Sequence, residues 1–117
     1  MILYGIKNCD TTQKAVKWLT LKKIPFEFHD YKEQGITEAR LNQWCKQVDW
    51  EKIFNKKSTT WRELDEAVKN NVIDQNSAIP VMKTHNSIIK RPILEREGKV
   101  ISVGWNEKEF SQLINKN

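Results

Sequence analysis

The chain has 117 residues, of which 20 are Lys or Arg and 15 are Asp or Glu, for a net charge of +5. That length makes a single domain, 1–117, with a core large enough to fold without disulfides or a structural metal. No apolar run is long enough to span a membrane, and the basic residues are scattered among acidic ones, which argues against a membrane protein and against specific nucleic-acid binding.

The first segment, Met1 to Gly5, is a short apolar run that reads as a strand and passes through Ile6-Lys7-Asn8 to Cys9. A helix follows. Asp10 is a good N-cap with Gln13 three residues on, and Thr12, Ala15, Val16 and Leu19 fall on one helical face. Cys9 is then either the residue before the cap or the cap itself. In both cases it faces unpaired N–H groups and the positive end of the helix dipole, which favour the nucleophilic thiolate. Lys7 and Asn8 either help to hold that charge or only solvate the turn.

Ile24 to Asp30 alternates apolar and polar side chains and predicts a second strand, parallel to the first through a right-handed crossover. The middle of the chain is helical. Leu41, Trp44, Cys45 and Val48 mark one stripe from Thr37 to about Val48. Thr60 with Glu63 forms a capping box ahead of Trp61, Leu64 and Val68. Asp74 to Thr84 reads as helix too, with Pro80 tolerable if the helix starts near Ser77. Ile93-Leu94 and Val100 to Val103 flank the turn Arg96-Glu97-Gly98-Lys99 as a hairpin. Asn106 and Glu109 cap a last helix that carries Phe110, Leu113 and Ile114.

The sum is an α/β chain: β-α-β, a helical block, then β-β-α. Cys45 shares the Leu41–Val48 stripe and reads as a packing residue, and His29 and His85 have no partners at ligand spacing, so no metal site is expected. Trp18, Trp44 and Trp61 lie in or beside the helical stripes and read as packing rather than stacking residues. Two cysteines make no disulfide framework, and the N-terminus carries no signal-peptide pattern, which together predict a reducing, cytoplasmic setting.

Three segments, Lys7-Asn-Cys-Asp-Thr-Thr12, Ile88-Ile-Lys-Arg-Pro-Ile93 and Ser102-Val-Gly-Trp-Asn-Glu107, resemble the ArsC/Spx family. Gly5 to Thr11 and Asn55 to Arg62 are most similar to its YffB-like branch. The resemblance implies a thioredoxin-like fold with a mixed four-stranded sheet, a core of 1–31 and 88–117, and a helical insertion over about 35–86. It implies that Cys9 is the nucleophile and that Arg91 and a cis Pro92 lie beside it. Arg91 offers a forked donor for oxyanions or carboxylates, against the plainer alternative of an ion pair with Glu95 or Asp10. Arg62, just inside a capped helix, is either a further anion contact or a solvated side chain.

The departures are informative. The arsenate-reducing members use three arginines, and only Arg91 is retained; the other two positions fall at about Asn55 and Gly104, and a family histidine corresponds to Gly5. Each lost charged hydrogen bond forfeits about 1.5–3 kcal/mol, which weighs against arsenate as the substrate. The Spx branch senses oxidation through a Cys-x-x-Cys pair, and here the second position is Thr12, whose hydroxyl can donate to the thiolate instead. The expected function is a cytoplasmic, monomeric thiol-disulfide oxidoreductase with no bound cofactor and glutathione as co-substrate. The alternative is a regulator that binds the RNA polymerase alpha subunit without catalysis.

Overall fold

The computed structural model describes the backbone of residues 1–115 and side chains as far as Gln112; the expected core positions Leu113 and Ile114 lie outside the described side chains. The chain divides into two compact units, Met1–His29 with the chain from Arg91 onward, and Asp30–Lys90. Among the described residues no helix is long and apolar enough to cross a membrane.

Strands β1 (Ile2–Gly5), β2 (Glu27–Asp30), β3 (Ile93–Arg96) and β4 (Lys99–Val103) form one mixed sheet in the order β2-β1-β3-β4. The hairpin forms as the turn residues predict. Glu97 and Gly98 both take positive φ, 50° and 82°, the geometry that a two-residue link between twisted antiparallel strands requires. The β1–β3 pairing sets Leu3 opposite Leu94 and Tyr4 opposite Ile93, so the two leucines share one face of the sheet. Helices α1 (Asp10–Leu21) and, after β4, α8 (Glu107–Asn115) supply Ala15, Trp18, Leu19 and Phe110 to the core built on those leucines. Trp18 and Trp105 both meet Phe110 edge-on, at 5.6 and 4.9 Å between ring centroids.

In the second unit, α2 (Tyr31–Gln34) and α3 (Glu38–Cys45) are capped by Asp30 and Thr37, whose side chains accept from Lys32 N and Arg40 N. Then α4 (Trp50–Ile53) leads into Phe54, which forms a bridge to Ile89. Asn55 N donates to Ile88 O at 2.7 Å and Lys90 N to Ile53 O at 2.8 Å, tying that segment to the chain just before Arg91. Tyr31, Leu41, Trp44, Ile53, Met82, Ile88 and Ile89 are fully buried.

Several expected boundaries are corrected. The helix predicted from Thr60 through Val68 is two short pieces, α5 (Thr59–Glu63) and α6 (Glu66–Asn70), broken at an extended Leu64. Neither piece fully buries a residue, so little tertiary packing rewards a continuous helix. Ser58, not Thr60, caps α5 by accepting from Trp61 N; the Thr60 hydroxyl pairs with Ser87 Oγ at 2.7 Å instead. Helix α7 (Gln75–Thr84) starts ahead of Ser77, with Asp74 and Ser77 forming a reciprocal cap, and so carries Pro80 inside it. Pro80 and Asn76 are both exposed, so the hydrogen bond that a proline cannot make to the Asn76 carbonyl is forgone on the outer face of the helix.

Helix α1 ends at Lys22, and Lys23 takes a left-handed φ of 58° while its N–H bonds Thr20 O. Glycine is the usual residue here because a Cβ is strained in that region. Lys23→Gly should therefore stabilise the protein by about 0.5–1 kcal/mol, read as a higher urea midpoint at unchanged m-value. An unchanged or lower midpoint would contradict the strain argument.

Candidate functional site

Cys9 is itself the N-cap of α1. Its backbone is extended, at φ −94° and ψ 127°, and its carbonyl already accepts from Gln13 N at 2.9 Å. Asp10 is therefore the first helical residue rather than the cap, and Gln13 sends its side-chain amide to Lys7 O instead of reaching back in a capping box. The loop before it is closed by Cys9 N donating to Ile6 O at 3.0 Å. This turns the thiol toward the open end of the helix, where a cysteine cap leaves the first N–H groups for the sulfur.

Two threonines in the first turn complete the arrangement. Thr11 Oγ1 lies 3.1 Å from Cys9 Sγ and donates to Arg91 O at 3.2 Å. It carries one proton, so it serves the Arg91 carbonyl while the sulfur is a thiol and turns to the sulfur when that ionises. Thr12 is 1 % exposed, and its backbone N–H faces the sulfur. Thr12 Oγ1 is buried against Gly5, and the Thr12 N–H is the stronger of that residue's two donors to the sulfur.

Burial pushes the Cys9 thiol up. The Thr11 hydroxyl, the Thr12 N–H and hydroxyl and the Arg91 guanidinium outweigh it and bring the thiol down to about 7. About half of it is thus ionised near neutral pH. Cys45 behaves in the opposite way: burial, then the negative charge of Asp49, push its thiol up, as befits a packing residue.

Gly5 makes this possible. A Cβ there would stand 2.5 Å from Thr12 Oγ1 and 2.8 Å from its Cγ2, so only glycine lets β1 and the first turn of α1 approach this closely. Thr11 and Gly5 are the two contributors that sequence reasoning did not place. Glycine at a strand end ahead of a helix is a general sign of close backbone approach, and that signal was available.

The remaining expected residues divide. Arg91 is half-buried beside the thiol, and the Arg91–Pro92 bond is cis, with Pro92 buried and its carbonyl accepting from Gly104 N at 2.7 Å. Lys7 and Asn8 are exposed in the loop before Cys9. Arg62 lies on α5 in the second unit, exposed, its carbonyl accepting from Lys69 Nζ. Among the described residues no group of three or more His, Cys, Asp or Glu side chains is placed to hold a metal ion.

Comparison with known proteins follows the same lines. The ArsC family model matches residues 4–113. A solved YffB protein is 42% identical, covers 95% of this chain and 96% of its own, and superposes with a TM-score of 0.89. An arsenate reductase (ArsC) related protein from Brucella melitensis is also 42% identical, over 97% of this chain and 92% of its own, with a TM-score of 0.74. The global transcriptional regulator Spx of Lactiplantibacillus plantarum is 26% identical over 97% of this chain and 86% of its own.

Alkylation of Cys9, followed by peptide mapping, should show a midpoint near pH 7, with Cys45 titrating well above it. Thr11→Val should raise the Cys9 midpoint by about one unit, the equivalent of one charged hydrogen bond, and Thr11→Ser should leave it in place. A midpoint indifferent to Thr11→Val would remove that hydroxyl from the site.

Proposed function

The chain belongs to the ArsC family, and from that premise we propose that it is a thiol-disulfide oxidoreductase with Cys9 as its single nucleophile and glutathione as its reductant. The observation that carries this reading is the Cys9 cap itself, a half-buried thiol brought to about 7 by hydrogen bonds from its own first helical turn and from Arg91. A thiol near ambient pH combines a substantial thiolate fraction with retained nucleophilicity.

The reaction runs through two exchanges. Cys9 thiolate attacks the glutathione sulfur of a mixed disulfide R–S–S–G, the S–S bond breaks, and the product leaves as RS⁻. A second glutathione thiolate attacks the Cys9–S–S–G adduct, releasing Cys9 as thiolate and glutathione disulfide. Net, the mixed disulfide and one glutathione thiolate become RS⁻ and glutathione disulfide, so the R sulfur is reduced to thiolate and the incoming glutathione sulfur is oxidised to disulfide. Thr12 stands where a local resolving thiol would be, so the second thiol comes from solution. Arg91 orients a glutathione carboxylate at the sulfur. Arsenate is the less favoured substrate, because Asn55 and Gly104 replace two of the family's arginines and Gly104 holds a φ of 84° that a side chain tolerates poorly.

Cys9→Ser should lower glutathione-coupled reduction of bis(2-hydroxyethyl) disulfide by on the order of 10³-fold or more, and a variant that retains activity would end this reading. For the native chain kcat/KM should rise with pH through about 7 and then level, because the reacting form is deprotonated. The kinship with Spx favours a second reading, a regulator that contacts the RNA polymerase alpha subunit. Stoichiometric binding to the alpha C-terminal domain, together with no disulfide turnover, would select it.

A further inference from the structure

The link between β4 and α8 is short and held at both ends. β4 closes at Val103, which pairs with Ile93 of β3. Trp105 packs on the Leu3–Leu94 core and meets the Phe110 ring edge-on. Asn106 Oδ1 then accepts from Glu109 N in the first turn of α8. Gly104 stands between the strand end and the anchored tryptophan, and it takes up the change of direction at a φ of 84°.

That glycine also reaches toward the thiol. Its N–H donates to Pro92 O at 2.7 Å, one step beyond the Ile93–Val103 pair. The preceding carbonyl, that of Arg91, accepts from Thr11 Oγ1 of α1 at 3.2 Å. Two successive carbonyls are thus pinned, one by α1 and one by the end of β4. From this pinned backbone the Arg91 guanidinium donates to the Cys9 sulfur.

The φ of Gly104 governs more than the turn. With Trp105 seated in the core, a residue that resists positive φ must swing its own N–H out of line, and the Pro92 carbonyl with it. A Cβ added at Gly104 would meet nothing within 4 Å. Space therefore admits a side chain there, and the left-handed backbone alone calls for glycine.

We propose that Gly104 is a positioning residue of the thiol site: its N–H, by holding the Pro92 carbonyl, sets the Arg91 guanidinium at the Cys9 sulfur and so gives the thiol its preference for anionic partners. The inference rests on the reading above, in which Arg91 orients a glutathione carboxylate, and it names what orients Arg91. No step of the exchange passes through Gly104 itself.

The test needs no turnover. Cys9 in the full chain is alkylated with iodoacetate and, separately, with iodoacetamide at one pH and ionic strength, and peptide mapping follows Cys45 alongside. The ratio of the two rates cancels the thiolate fraction and reads the charge that meets the reagent at the sulfur. Arg91→Met should lower the ratio about fivefold and Gly104→Ala about threefold. Gly104→Asn, which enters the left-handed region more readily, should fall between native and Gly104→Ala. Added to Arg91→Met, Gly104→Ala should lower the ratio no further, because it acts through that side chain. The ratio at Cys45 should stay constant throughout. A native ratio in Arg91→Met or in Gly104→Ala, or a further fall in the double variant, would overturn the proposal. Should the alanine chain not fold, a native ratio in the asparagine chain does the same. Turnover of bis(2-hydroxyethyl) disulfide by the native chain judges the oxidoreductase reading separately.

Discussion

The seating of Thr12 against Gly5 sets the position of everything else in the site. Helix α1 can come this close to β1 only because position 5 has no Cβ, and the approach fixes where the first turn begins. Cys9 then falls at the cap, Thr11 turns toward the Arg91 segment, and Thr12 offers its N–H to the sulfur. The rest of α1 is anchored by ordinary burial, with Ala15, Trp18 and Leu19 on the Leu3–Leu94 face of the sheet. Core packing therefore holds the helix in place, and one small residue determines how its end meets the strand.

The thiol is activated with little help from net charge. Four of the five contributions to its acidity are hydrogen bonds, three of them from neutral groups of the first helical turn, and burial works against them. Backbone donors such as the Thr12 N–H already point at the sulfur and need no rearrangement when charge develops there. They are also insensitive to salt compared with a ring of surface lysines. The +5 charge of the chain is thus a property of its surface, and the chemistry of Cys9 is a property of a helix end.

Much of this was legible in the residues and some was not, for physical reasons that differ from case to case. The strand–loop–Cys9–helix order, the helical stripe that begins at Thr37 and the Glu97-Gly98 hairpin are local, and local patterns carried them. Asp10 misled because a carboxylate suits both the cap and the first helical position, and only the backbone of Cys9 decides between them. The stripe Trp61, Leu64 and Val68 looked like a helix face, yet Val68 remains 37% exposed and no packing rewards continuity. Thr11 was invisible for another reason: its acceptor is a carbonyl eighty positions along the chain, which no periodicity announces.

That single Thr11 proton carries a consequence for how the site answers to ionisation. While Cys9 is protonated, its sulfur demands little, and the hydroxyl ties α1 to the Arg91 carbonyl. Once the sulfur is charged the proton is drawn away and the tie is released. The ionisation of Cys9 and the tie between α1 and the Arg91 segment are in this way coupled through the rotation of one C–O bond.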